Sequence, residues 1–278
     1  MEAVTSSSPA SFARHLAASA RKMHDSMERL ATGRQLNRAA DSPADLITAE
    51  SLGATLAAIE AEARALQRVE RVSASVDGAL GEISNLLVEA EGLAIASASD
   101  FLSVEEQQAN QMEMDSIIAS VNYIAGTTTF NGQSLLDGGL SLSAAGQSLS
   151  IPGMAAGALG QALIDGELQS LASVGSGGAF NLVNGNLEGA QQAVSAAADQ
   201  VNALRGRLGA FQRYGVGARQ ASLDDAFMAT TAARSQLMET DSAAESARMR
   251  LAELEYRAGL SAFRAGDRAR RRLLSLLA

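Results

Sequence analysis

The side chains best able to do chemistry in this chain are few and badly placed for it. Only His15 and His24 are histidines, and neither has a partner four residues away on its helix or a Glu-x-x-His companion of the kind that holds a metal. Glu105-Glu106 and Asp224-Asp225 are adjacent carboxylates, yet neighbours on a helix point apart and cannot share a proton as an acid-base pair. They read as solvated faces. Cysteine is absent, which removes thiolate ligands and disulfides together.

Backbone motifs are no more promising for catalysis. "GSGGAF" at 175–180 lacks the preceding strand and the helix-opening spacing by which glycine-rich turns cradle phosphate. Serines are plentiful, but no Gly-x-Ser-x-Gly elbow holds one against a base. The sharpest charge run is Arg264, Arg268 and Arg270 to Arg272 in "FRAGDRARRR". Cations there complement the C-terminal end of a helix dipole, or else face an acidic partner. The expectation is a protein without enzymatic chemistry, cofactor or metal.

The composition points to long helices. Of 278 residues, 47% are hydrophobic but only 4% aromatic, with 3 prolines and no tryptophan, so much of the apolar content is alanine, suited to slender helices packed closely. A net charge of -9 argues against a general nucleic-acid binder, which needs a basic surface to neutralise phosphates. No apolar run reaches the roughly 18 residues of a membrane span. "MEAVTSSSPASF" carries an acidic residue where a secretory leader is basic, and no apolar block of leader length follows, so no cleaved signal peptide is expected.

Periodicity supplies the elements. Alternating steps of 3 and 4 from Ile59 meet Glu62, Leu66, Val69, Ser73, Val76, Leu80, Ile83, Leu87, Ala90, Ala94 and Ser97, the seam of a coiled coil. With Ser42 as N-cap and Pro43 at the first helical position, this helix is expected to run to about residue 99, roughly 85 Å. Ser103 and Glu106 have capping-box spacing for a second helix, carrying Met112, Ile117, Val121 and Ile124 inward and ending at Gly126. A third helical pattern runs from about Leu187 to Met238, weakened by Gly206, Gly209, Gly215 and Gly217, with a bend expected near 214–218. Terminal helices are expected from Phe12, Leu16, Met23, Met27 and Leu30 at one end, and from Ser242 and Glu245, again at capping-box spacing, at the other.

Between the long helices the chemistry changes. Thr129, Phe130, Asn131 and Gly132 favour extended chain and a tight turn, marking a switch from helix to hairpin. "LSLSAAGQSLSIPGM" follows with Leu140, Leu142, Leu149 and Ile151 alternating about a small-residue turn, a second hairpin. Residues 153–186 read as a loop-rich excursion with room for another short strand pair.

"SMERLATGRQLNRAADSPADLITAESL" (26–52), "DGALGEISNLLVEAEGLAIASASD" (77–100), "TTTFNGQSLLDG" (127–138) and the closing "LLSLLA" resemble bacterial flagellin in order and spacing. "LRGRLGAFQRY" (204–214) is similar to the start of that family's returning half. The opening "MEAVTSSSPA" and the arginines of "GDRARRR" depart from the family's usual pattern. The resemblance implies a mainly α fold: a long antiparallel coiled-coil bundle with a small β-hairpin region in the middle and terminal helices pairing into a filament core.

On that reading the chain divides into an N-terminal core helix region (1–42), an outward long-helix bundle (43–126), a β-hairpin and loop region (127–186), a returning helix (187–240) and a C-terminal core helix (241–278). It would be a minimal version without large outer domains. The implied role is a structural subunit, a helical homopolymer of itself, forming the filament used for motility and exported without a cleaved signal. Subunit packing falls to Phe12, Leu16, Met23, Met27, Leu30, Leu254, Leu260, Phe263, Leu273 and Leu277. Terminal helices this weakly apolar bury too little to fold firmly alone, so their ordering would be coupled to polymerisation.

A secretion chaperone at the C-terminal helix, hook-associated proteins and cap proteins are the partners implied, with no nucleic acid and no membrane insertion. In family members the contact patch for the animal innate receptor carries an arginine at the position of Glu89, so reversed charge is expected to weaken that recognition. The alternatives are a hook-filament junction protein and a coiled-coil adaptor using the basic C-terminal helix.

Overall fold

The computed structural model describes residues 9–99, 101–164 and 167–277, with the side chains at 9, 10, 164, 167, 270 and 273–277 outside the described set. Six α-helices are present among them: α1 Pro9–Thr32, α2 Pro43–Ser97, α3 Val104–Thr127, α4 Leu187–Ala210, α5 Gly217–Met238 and α6 Ser242–Leu277. Between α3 and α4 lie three antiparallel strand pairs, β1 Thr129–Phe130 with β2 Gln133–Ser134, β3 Ser141–Ala144 with β4 Gln147–Ser150, and β5 Ala162–Ile164 with β6 Glu167–Gln169. The mainly α architecture with a small hairpin region is the one expected. Its residues fall into two compact units, 1–58 with 226–278, and 59–225.

The second unit holds the larger core. From Leu66 onward α2 buries Val76, Leu80, Ile83, Leu87, Ala90 and Ala94, the 3-and-4 seam anticipated. They join Met114, Ile117, Val121 and Ala125 of α3 and Ala190, Ala193, Val194, Ala197, Val201, Leu204 and Leu208 of α4 in one cluster. Each large apolar side chain withdrawn from water contributes about 1.5–3 kcal/mol. Ion pairs fix the rim: Arg205 meets Asp77 at 3.2 Å and Arg219 grips Glu62 through two nitrogens at 2.7 and 2.8 Å.

Helix α3 starts as its sequence says. Ser103 Oγ accepts from the Glu106 N–H and the Glu106 carboxylate accepts from the Ser103 N–H at 2.8 Å, closing a capping box. The Ser103 backbone N–H, then its hydroxyl, hold the Glu106 carboxyl below its ordinary value. One inward residue differs from expectation. Met112 is 65% exposed and Met114 is buried, because the buried stripe runs through Gln111, Met114, Ile117, Val121 and Ala125, and Met112 lies off that phase.

Asn131 (φ 51°) and Gly132 (φ 80°) make the two-residue left-handed turn joining β1 to β2, and Ala145 with Gly146 repeat it between β3 and β4. Leu142 faces Leu149 across the second hairpin and both are buried. Polar side chains of the helices fasten the rest of this region by its backbone. Buried Gln111 donates to the Val174 carbonyl and accepts from the Leu182 N–H at 2.6 Å. Asp115 accepts from Ser176 N–H, Asn122 from Ala156 N–H, and Gln200 from Gly160 N–H.

Where the sequence predicts a bend, near 214–218, the chain has a π-helical turn over Phe211–Val216, with the Gly217 N–H reaching back to the Gln212 carbonyl. There each hydrogen bond spans one residue more than in an α-helix, which widens the turn. A Cβ at Gly215 would stand 3.2 Å from the Gln147 side-chain oxygen and 3.4 Å from the Phe211 ring, so glycine lets this turn lie against β4.

Candidate functional site: the paired terminal helices

In the first unit α1 packs along α6. A 3-and-4 walk through Phe12, Leu16, Ser19, Met23, Ser26 and Leu30 follows the inner face of α1, where Ser19 and Ser26 are buried and the four apolar residues half-buried. Its counterpart on α6 is Glu245, Met249, Ala252, Tyr256, Gly259 and Phe263. The Phe12 and Phe263 rings meet edge to face, centroids 6.5 Å apart. Gly259 makes room for Leu16, whose Cδ2 lies 3.2 Å from where a Cβ would stand.

A buried carboxylate sets the register of this pair. Glu245 accepts a hydrogen bond from Ser26 Oγ at 2.7 Å and from Arg248 at 3.0 Å, with the Arg29 guanidinium 3.7 Å away. Burial pushes its pKa up, but the Ser26 and Arg248 hydrogen bonds and the neighbouring arginine charges outweigh that and hold it below the ordinary value. Sequence reading gave Glu245 another task, in a capping box with Ser242. Instead the Asp241 side chain caps α6, accepting from the Ala243 and Ala244 N–H groups at 2.9 and 3.0 Å, which frees Glu245 to turn towards α1.

The chain segments flanking the pair are tied by backbone. Arg34 and Glu239 form an antiparallel bridge, the Gln35 N–H donating to Met238 O at 2.8 Å and the Thr240 N–H to Gly33 O at 3.0 Å. Gly33, at φ 68°, ends α1 in the left-handed conformation that glycine tolerates. The Asp41 carboxylate accepts from the Arg38 and Asn37 N–H groups at 2.8 and 2.9 Å, which lowers its pKa in that order of effect.

Both helices keep a second stripe facing outward. On α6 it runs through Ala247, Leu251, Leu254, Ala258, Ala262, Ala265 and Ala269, every one exposed, with Leu251 and Leu254 at 61% and 64%. On α1 it comprises Ala13, Ala17, His24, Met27 and Ala31, also exposed. Of the residues singled out for subunit packing, Phe12, Leu16, Met23, Leu30, Leu260 and Phe263 are half-buried, whereas Met27 and Leu254 point to solvent. Leu273 and Leu277 have backbone in α6 but side chains outside the described set. Elsewhere, Thr129 to Gly132 form the first hairpin, and Glu89 and His15 are exposed. Sequence reasoning missed Ser19, Ser26, Ala252 and Gly259 because the inner seam was sought among large apolar residues.

The fold is that of a mainly helical protein whose N-terminal and C-terminal helices share one antiparallel pair. Residues 5–140 match the family model for the bacterial flagellin N-terminal helical region. Over 125 residues the chain is 30% identical to polar flagellin F of Vibrio parahaemolyticus, covering 45% of this chain and 33% of that protein. It is 32% identical over 125 residues to B-type flagellin of Pseudomonas aeruginosa, covering 45% of this chain and 26% of that one. A solved flagellin from Bacillus cereus overlaps 59% of this chain and 87% of that one, at 20% identity and a TM-score of 0.41. The match thus spans a third or less of the curated relatives' length. Through residues 5–140, just under half of its length, the chain is similar to the N-terminal helical region of bacterial flagellins.

Proposed function

We propose that this protein is a structural subunit that is exported and self-assembles into the flagellar filament of bacterial motility. The observation that carries the reading is the two-sided terminal pair: one seam is used within the chain and a second, of alanine with Leu251, Leu254 and Met27, is exposed on the same helices. A helix with two apolar stripes needs more than one partner, and a second copy supplies the complementary stripe. No helix among the described residues is long and apolar enough to cross a membrane, which accords with a role outside the bilayer.

In this reading Phe12, Leu16, Met23, Leu30, Leu260 and Phe263 hold the pair together, while Met27 and Leu254, with Leu273 and Leu277, contact neighbouring subunits. Residues 1–42 and 241–278 then act as the filament core, 43–126 and 187–240 as the surrounding bundle and 127–186 as the hairpin region, entered at Thr129 to Gly132. The exposed stripe of α6 gives a secretion chaperone a surface to cover before assembly, and hook-associated and cap proteins meet the same helices at the ends of the polymer. Glu89 weakens recognition by the innate receptor through its charge.

Seeded assembly tests the proposal. The full chain, mixed with filament seeds and a precipitating salt, forms long uniform filaments under negative-stain electron microscopy, and a chain ending at Thr240 does not. Short rods or monomers from both would reject it.

A further inference from the structure

We propose that Asn131 is a site of spontaneous covalent modification, at which the Gly132 backbone nitrogen attacks the Asn131 side-chain amide and converts it to aspartate and isoaspartate. Of the chain's nine asparagines only Asn131 and Asn184 precede glycine, whose missing Cβ leaves the next backbone nitrogen free to approach the side-chain carbonyl. The reaction needs no partner but water. The Gly132 nitrogen gives up its proton and bonds to Asn131 Cγ, ammonia leaves, and a five-membered imide closes. Water opening the imide at Cγ restores the main chain as aspartate, and opening at the backbone carbonyl leaves the chain routed through Cγ as isoaspartate.

The fold leaves one of these dipeptides free and ties down the other. Asn131 and Gly132 are the two central residues of the β1–β2 turn, both exposed and both at positive φ. Apart from its chain neighbours, no atom lies within 4 Å of where a Gly132 Cβ would stand. Among the described residues neither the Asn131 side chain nor the Gly132 N–H has a hydrogen-bond partner. A nitrogen so placed is open to base from solvent and meets no neighbour when its peptide turns towards Cγ.

Asn184-Gly185 is wound round Asn181 instead. The Gly185 N–H donates to the Asn181 carbonyl at 2.9 Å and the Asn184 N–H to Asn181 Oδ1 at 2.8 Å, while Asn181 Nδ2 donates to the Gly178 carbonyl at 3.0 Å. A Cβ at Gly185 would stand 2.4 Å from the Asn181 carbonyl oxygen and 2.5 Å from its nitrogen. Attack at Asn184 must first break these bonds and swing the Gly185 peptide out of its packing, so its rate carries the cost of a local opening. Attack at Asn131 carries no such cost.

The change falls where the chain leaves α3. Leu135 and Leu136, each 1% exposed, anchor the base of this hairpin in the core, and the Leu135 N–H donates to the Thr128 carbonyl at 3.0 Å, which confines the modification to the tip. Aspartate keeps the backbone and adds a charge. Isoaspartate inserts an extra main-chain carbon into a turn two residues long, on which the pairing of Phe130 with Gln133 depends. Neither product requires a second copy of the chain.

The test incubates the full chain, folded and unfolded in guanidinium chloride, in weakly alkaline buffer made with heavy-oxygen water. Peptides taken at intervals are mapped by mass spectrometry, with fragmentation that separates isoaspartate from aspartate, and circular dichroism verifies the fold. In the folded chain Asn131 is expected to convert at least about tenfold faster than Asn184, giving both products with one heavy oxygen taken up. In the unfolded chain, where the Asn181 contacts are gone, the two rates should agree within about threefold. Asn131→Gln should remove the fast conversion and leave Asn184 slow. Conversion at Asn184 as fast as at Asn131 in the folded chain would overturn the proposal. So would a preference for Asn131 equally large in the unfolded chain, or an Asn131 that stays intact in the folded chain while the unfolded chain reacts.

Discussion

Glu245 shows how one side chain can hold two helices in register. Its carboxylate is buried between α1 and α6, and its charge is matched by the Ser26 hydroxyl, Arg248 and Arg29. Because its pKa in the folded chain lies below the ordinary 4.5, its stabilising contribution is present above the unfolded value and lost as pH falls through the folded one. Acid titration followed by helical circular dichroism should therefore show the terminal pair loosening below about pH 4.5, and Glu245→Gln should weaken the pair at pH 7 by roughly 1.5–3 kcal/mol. Ser73 presents the opposite case. Its hydroxyl is buried in the α2 seam with no hydrogen-bond partner, so it is desolvated without return. Ser73→Ala should raise the urea midpoint, by up to about 1 kcal/mol of stability.

At the scale of elements, the hairpin region is fitted against the helices through close backbone approaches. Gly160 has φ 66°, and a Cβ there would stand 2.5 Å from the Ala193 carbonyl oxygen of α4. Gly160→Ala should cost roughly 2–4 kcal/mol through backbone strain and overpacking, read as a lowered thermal midpoint. Such approaches are not legible in a sequence, because nothing near Gly160 names Ala193 as its neighbour. The α2 seam was legible because its buried positions are apolar at coiled-coil spacing, and the first hairpin because Asn131-Gly132 is suited to little else than a left-handed turn. The seam between α1 and α6 has the same spacing, but its most deeply buried positions are serine, glutamate and alanine, interleaved with half-buried Phe12, Leu16, Met23, Leu30 and Phe263. An apolar pattern therefore drew attention to Met27 and Leu254, which lie on the outer faces. Similarly, Gln111 reads as a surface residue until Val174 and Leu182 are seen to occupy both ends of its amide.

For the whole molecule, the two units differ in what they bury. The second has a continuous, mainly aliphatic core, whereas among the described residues the terminal pair buries Ser19, Ser26, Glu245 and Ala252 and leaves Leu251 and Leu254 outside. On the proposed reading, a subunit built this way has a self-sufficient part and a part that neighbouring copies would complete. Leu254→Asp, at a 64% exposed site, should leave monomer stability within about 0.5 kcal/mol. The same change should raise the critical concentration for assembly by about tenfold to a hundredfold, the equivalent of one leucine burial per contact. Sedimentation at graded concentrations measures both the shift and its absence. Amide hydrogen exchange on the full chain, as monomer and after seeded assembly, addresses the central claim most directly. The expected result is rapid exchange of α1 and α6 in the monomer, protection at least a hundredfold greater in the assembled state, and unchanged protection of Val76 to Ala94 and Val194 to Leu208. Equal protection of α1 and α6 in both states, or no assembled state to measure, would contradict it.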